Sequence, residues 1–289
     1  MDDKGVVMKL KKVKIQMHHE LTGIYDASEI DSFFYLLIDF KLGISKTDFI
    51  LNPEKEIETT AVFFFNEVID KLKEECPIQY IIGETEFYGL VFKVTNATLI
   101  PRPETEELVD WIVSDNKDNY ELSVLDIGTG SGCIPISLAK NLNSAVVTSI
   151  DVSDDALRIA KLNAKNNNAK VKFICKDILR YSDTEQKYDV IVSNPPYVRV
   201  LEKLEIKKNV LDYEPHLALF VSDDDPLVFY RKIVELSKKI LANNGVLYFE
   251  INQYLGEETV NLIKQAGFKN VILKKDMSGN DRMIKAYGL

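Results

Sequence analysis

The sequence predicts an α/β protein in which a helical amino-terminal region precedes a seven-stranded, mainly parallel sheet covered by helices on both faces. Three observations carry this expectation. From residue 123 onward, short apolar runs alternate with helical stretches, the pattern of parallel strands joined by helical crossovers. The first of those runs ends in a glycine-rich turn that opens a helix, Asp126-Ile127-Gly128-Thr129-Gly130-Ser131-Gly132. Before residue 82, apolar residues recur at helical spacing, with capping signals between them.

The first elements are helices. Ser28-Glu29-Ile30-Asp31 and Ser45-Lys46-Thr47-Asp48 both have capping-box spacing. After the first box, Phe33, Phe34, Leu36, Leu37, Phe40 and Leu42 form an apolar stripe. A longer helix is expected over 57–75, with Ala61, Phe64, Phe65, Val68, Ile69 and Leu72 on one face, ending before Pro77. Nothing here carries chemistry, and the region reads as a small bundle. Residues 86–94, aromatic and β-branched around Gly89, predict a hairpin that connects this bundle to the sheet domain. Ile100-Pro101-Arg102-Pro103 interrupts regular structure, and a helix restarts over 104–113 with acidic residues in its first turn. The expected domains are therefore 1–82, helical; 83–100, connector; and 101–289, the sheet domain. Strands are expected at 123–127, 146–150, 171–174, 190–193, 245–251, 270–273 and 283–287, the last inserted antiparallel near the sheet edge. Helices are expected at 133–141, 154–166, 226–241 and 256–266.

Composition narrows the function. The chain has 289 residues, 46% of them hydrophobic and 28% charged, with a net charge of −9, so a broad phosphate-gripping basic face is not expected. Cys76, Cys133 and Cys175 are odd in number and far apart, and His18, His19 and His216 show no ligand spacing, so neither a disulfide framework nor a metal site is expected. Met1-Asp2-Asp3-Lys4 lacks the apolar core of a secretory leader, and no apolar run has the length of a membrane span; the expected location is the cytoplasm.

The strand ends point to a ligand. A dinucleotide-binding turn would place glycine or alanine where Cys133 stands, whereas Gly128, Gly130 and Gly132 match the spacing that suits S-adenosylmethionine. Thr129 and Ser131 complete that turn. Asp151, ending the next strand about twenty residues on, can accept both ribose hydroxyls. Asp177, ending the third, can accept from the adenine amino group, with Ile178 beside the ring. Either acid alone reads better as a helix cap or a solvated loop residue; three successive strand ends favour a bound adenosine.

The fourth strand ends in Asn194-Pro195-Pro196-Tyr197. By itself this is a proline-stiffened turn. At this strand end it stands beside where a methyl donor would project, so Asn194 is expected to border the cofactor as well. An amide or aromatic amino nitrogen is a poor nucleophile because its lone pair is delocalised. The Asn194 side-chain oxygen and the Pro195 carbonyl can accept its two N–H groups, orient it, and stabilise positive charge growing on it. Tyr197 can stack on the planar group.

Together these residues resemble the release-factor glutamine N5-methyltransferase family. The likeness runs from about Pro77 to the carboxyl terminus, through Pro77-Ile78-Gln79-Tyr80-Ile81-Ile82-Gly83, Phe87-Tyr88-Gly89, Ile100-Pro101-Arg102-Pro103-Glu104-Thr105-Glu106, the glycine turn, Asn194-Pro195-Pro196-Tyr197, Tyr213-Glu214-Pro215 and Gly279-Asn280-Asp281-Arg282. The first 76 residues match by helical character. Asp225-Pro226-Leu227 and Glu250-Ile251-Asn252 depart from the family's usual D-G-L and E-I-G. The resemblance implies a class I, Rossmann-like methyltransferase fold and S-adenosylmethionine as cofactor. It implies a helical domain that grips the release factor in support of translation termination. It also implies a substrate glutamine in a Gly-Gly-Gln loop, held by Asn194 to Tyr197. Two rivals stand beside it: methylation of an adenine amino group in nucleic acid, which predicts a basic groove, and a non-catalytic binding module, which has no use for two oriented acceptors.

Overall fold

The structure, a computed structural model, describes residues 8–182 and 185–289; the opening Met1-Asp2-Asp3-Lys4 lies outside them. The chain divides into two units. One runs to Ile82 and includes Lys208–Tyr213; the other comprises Gly83–Lys207 and Glu214–Leu289.

In the first unit the elements are β1 (Met8–Lys9), α1 (Leu10–Leu21), α2 (Ala27–Leu42), α3 (Lys46–Leu51), β2 (Glu56–Ile57), α4 (Thr59–Lys73) and α5 (Ile78–Ile82). Residues spaced three and four apart make its core: Leu10, Val13 and Met17 of α1, Ile30, Phe34, Leu37 and Ile38 of α2, and Phe65, Val68, Ile69 and Leu72 of α4. The expected stripe on α2 is displaced. Leu36 and Phe40 are exposed, because the seam that meets the other helices runs through positions 30, 34, 37 and 38. The Ser45 box forms: the Ser45 hydroxyl accepts from the Asp48 N–H and the Asp48 carboxylate from the Ser45 N–H, both at 3.1 Å. The Ser28 box does not. Helix α2 starts earlier, after Asp26, and Asp31 instead meets the His18 ring at 2.6 Å and the Lys14 ammonium at 3.0 Å, both from α1.

The second unit opens with a hairpin of β3 (Glu84–Phe87) and β4 (Leu90–Lys93). Its two-residue loop places Tyr88 at φ 49° and Gly89 at φ 71°, the double left-handed turn that matches strand twist. Phe87 and Phe92 are buried edge to face, 5.9 Å apart, in the core of this unit. There follow α6 (Pro103–Asn116), β5 (Ser123–Ile127), α7 (Cys133–Asn141), β6 (Val146–Asp151), α8 (Asp154–Asn166), β7 (Val171–Cys175), β8 (Tyr188–Ser193) and β9 (Val198–Arg199). After a 3-10 turn, α9 (Lys208–Tyr213) groups with the first unit, where Lys208 pairs with Glu75 at 3.0 Å. The chain continues with α10 (His216–Leu219), β10 (Phe220–Val221), α11 (Val228–Ile240), β11 (Leu241–Glu250), α12 (Gly256–Gln265), β12 (Asn270–Lys275) and β13 (Asp281–Tyr287).

The seven-stranded sheet has the order β12-β13-β11-β8-β5-β6-β7. It is the mixed sheet expected, with β13 inserted antiparallel between β11 and β12. Alternate residues face opposite sides. Val124, Val190, Val192 and Tyr248 meet α6 and α7 on one face, while Leu125, Ile191, Leu247 and Phe249 meet α11 and α12 on the other. The chain leaves β5 outward to β6 and β7, then returns to β8 on the other side of β5. That reversal opens a crevice at the carboxyl ends of β5 and β8, where open sheets of this kind bind ligands. Among the described residues, no helix is long and apolar enough to cross a membrane, and no group of three or more His, Cys, Asp or Glu could hold a metal.

Candidate active site

The turn after β5 is built for close approach. Gly130 has φ +54°, and a Cβ added there would meet nothing within 4 Å, so its backbone borders open space. Gly132, at φ +85°, is tight instead: an added Cβ would lie 2.8 Å from Ile136 and 3.2 Å from Ala160, so its bare backbone lets α7 pack against α8. Beneath the turn, Thr129 and Ser149 share a short hydrogen bond, and Ser149 donates to Asp126 at 2.5 Å. The other Asp126 oxygen is buried without a partner, and burial pushes this carboxyl up to about 7.

Asp151, at the end of β6, ties two loops together. One carboxylate oxygen accepts from the Gly130 N–H and the other from the Ser153 N–H, each at 2.9 Å. Burial raises its pKa against those backbone bonds. Beyond β7, Asp177 accepts from the Leu179 N–H at 2.9 Å.

At the end of β8 a buried polar chain begins. The Asn194 amide donates to the Thr105 hydroxyl at 3.4 Å, and Thr105 donates to Glu250 at 2.6 Å. The second Glu250 oxygen accepts from the Tyr197 hydroxyl at 3.0 Å, and the Tyr197 carbonyl accepts from Asn252 at 2.9 Å. Burial raises the Glu250 carboxyl, with Thr105, Tyr197 and Arg282 acting against the rise. Nearby, the Arg102 guanidinium meets buried Glu214 at 2.5 Å, and Glu214 also accepts from the Ile100 N–H at 3.2 Å, pinning the segment before α6.

One cavity of about 310 Å³ unites these strand ends, a volume within the ~300–1,000 Å³ of small-molecule sites. Gly128, Thr129, Gly130, Ser131, Asp151, Asp177, Asn194, Pro195 and Pro196 line it, as do Arg102, Thr105 and Ile178. Gly132 and Tyr197 are not among the lining residues; Gly132 serves helix packing, and the Tyr197 ring packs against the apolar cluster of its sheet face. The residues fit S-adenosylmethionine. The Ser131 hydroxyl in the wall is buried without a partner, each Asp151 oxygen retains an acceptor site, and Ile150, Ile178 and Leu179 offer apolar surface for a flat ring. Thr105, Glu250, Arg102 and Glu214 are site residues to which the sequence alone assigned no role. The signals were the segments quoted above that contain them, Ile100 to Glu106, Tyr213-Glu214-Pro215 and Glu250-Ile251-Asn252, the last closing the apolar run Val246, Leu247, Tyr248, Phe249.

Residues 16–83 match the family model described as PrmC N-terminal domain, and residues 107–214 the model described as Methyltransferase small domain. A protein named release factor glutamine methyltransferase from Flavobacterium psychrophilum is 55% identical over 281 residues, covering 96% of this chain and 99% of that one. One of the same name from Bacteroides thetaiotaomicron is 42% identical, with 96% and 99% covered. A solved methyltransferase structure from Pyrococcus furiosus shares the fold, at a TM-score of 0.51 and 19% identity over 69% of this chain and 89% of that one.

Proposed function

The chain belongs to the release factor glutamine methyltransferase family, an S-adenosylmethionine-dependent enzyme that methylates the side-chain amide nitrogen of a glutamine in peptide-chain release factors, and we propose that the cavity at the β5–β8 crevice performs this transfer. The observation that carries the proposal is that Asn194, Pro195 and Pro196 line the same cavity as the Gly128 to Ser131 turn, Asp151 and Asp177.

S-adenosylmethionine, when bound, supplies an electrophilic methyl group on a sulfonium. Gly128, Thr129, Gly130, Ser131 and Gly132 form the turn that would hold its amino-acid end, Asp151 would accept from the ribose hydroxyls, and Asp177 from the adenine amino group. Asn194 and the Pro195 carbonyl present two acceptors to the glutamine NH2. Held by them, the nitrogen approaches in one orientation, which replaces an entropic cost otherwise met during the reaction. As the new N–C bond forms, the methyl–sulfur bond would break with its electron pair left on a neutral thioether; positive charge grows on nitrogen, and both acceptors stabilise it until one N–H proton passes to water. Tyr197, tied through its hydroxyl to Glu250 and through its carbonyl to Asn252, keeps the turn in place. The glutamine is that of the Gly-Gly-Gln loop which the family resemblance implies, and the helical first unit is the part that grips the release factor. The net charge of −9 speaks against stable nucleic-acid binding, and the expected compartment is the cytoplasm, where release factors work.

The test supplies the purified chain with methyl-labelled S-adenosylmethionine, a release factor and adenine-containing duplex DNA. Label on one glutamine of the release factor is expected. Label on DNA with none on the release factor would overturn the assignment.

A further inference from the structure

We propose that Glu250, acting through Thr105, sets which way round the Asn194 side-chain amide stands, and so is a positioning residue for methyl transfer. This rests on the proposed role of Asn194 as an acceptor for the substrate amide. An asparagine side chain has two faces of opposite character, an oxygen that accepts and an NH2 that donates. Only one orientation serves an NH2 substrate. Turned the other way, Asn194 would set donors against donors.

The hydrogen-bond chain removes that freedom. Glu250 is 1% exposed and its two oxygens are committed to hydroxyl donors, Thr105 at 2.6 Å and Tyr197 at 3.0 Å. A carboxylate accepts only, so the Thr105 hydroxyl must spend its single proton on Glu250. Its oxygen then offers only lone pairs to Asn194. The Asn194 NH2 turns toward that oxygen, 3.4 Å away, which leaves the Asn194 carbonyl oxygen free for the substrate. The contact is long for a resting hydrogen bond, as such bonds often are before substrate tightens a site. Thr105 is itself 3% exposed, so its hydroxyl sits at the buried end of the link. The chain spans the sheet domain from α6 through the end of β8 to the end of β11, which gives it rigid supports.

The test compares Thr105→Val, which keeps shape and removes the hydroxyl, with Thr105→Ser, which keeps the hydroxyl, and with Glu250→Gln. The glutamine NH2 must donate to one of the two hydroxyls, which unlocks the order of donors. In Thr105→Val and Glu250→Gln, kcat for release-factor methylation should fall roughly 10- to 100-fold, with KM and S-adenosylmethionine affinity held within about threefold. Thr105→Ser should recover most of the loss. Thermal melting checks folding in each case; should Glu250→Gln fail to fold, the valine and serine pair decides. Wild-type turnover in Thr105→Val, a loss in Thr105→Ser as deep as in Thr105→Val, or a change confined to KM would overturn the proposal. Failure of the wild-type chain to methylate release factor would sink the underlying functional assignment instead, and the two outcomes are read in the same assay.

Discussion

Asp126 stands under the glycine turn with one oxygen bonded to Ser149 and the other unpartnered, so its charge is hard to accommodate. The consequence is a stability that depends on pH. The folded-state carboxyl titrates at about 7, against an ordinary value of 3.8. Below the ordinary value both folded and unfolded chains hold the proton, and there is no penalty. Between the two values the folded chain binds more protons, so stability falls as pH rises, and above about 7 the full cost is present. That cost is on the order of 4 kcal/mol at most. Asp126→Asn should therefore gain stability over the wild type, and more at pH 8 than at pH 5, in urea unfolding. An equal difference at both pH values would contradict it. Residues such as Asp151, Asp177 and Asn194 were legible in the sequence because each closes an apolar run, and the structure brings all three to one cavity. The link from Thr105 to Glu250 was not legible: the two lie 145 residues apart, and a single acid at a strand end has no periodicity to betray its partner.

Elements with strong local signals are legible nearly to the residue. Helices α7 and α8 and strand β5 begin and end where periodicity and turn residues place them. Strand β11 starts earlier than expected, at Leu241, since its pairing with β8 shifts register between Leu241 and Val246. Between β8 and α11 the sequence carries no comparable signal. There β9 and β10 are two residues each and pair in parallel across a 3-10 turn and two short helices, α9 and α10, which are too brief to show a period. Capping gives a contrast to test. Ser45 caps α3 through its hydroxyl, whereas Ser28 lies inside α2, where its carbonyl accepts from the Ser32 hydroxyl. Ser45→Ala should cost about 1 kcal/mol, and Ser28→Ala less than about 0.5 kcal/mol, in denaturant unfolding. Equal costs would mean that the Ser45 box contributes nothing beyond helix propensity.

Across the whole molecule, every residue lining the cavity belongs to the second unit. A glutamine amide is small, and contacts to Asn194 and Pro195 alone supply little binding energy; positioning must draw on contacts remote from the reacting nitrogen. Intact release factor should accordingly exceed a Gly-Gly-Gln peptide in kcat/KM by about 100-fold or more. A peptide as good as the protein would remove any role for the helical unit in gripping the partner. The central claim, that Asn194 presents the substrate amide rather than holding the donor or the fold, is tested most directly by Asn194→Ala. Calorimetry with S-adenosylmethionine and single-turnover methylation of release factor should be run on the same preparation. Donor affinity within a few-fold of wild type, with the methylation rate lowered roughly 100- to 1,000-fold, is the predicted result. Near-normal methylation by a folded Asn194→Ala protein would contradict it.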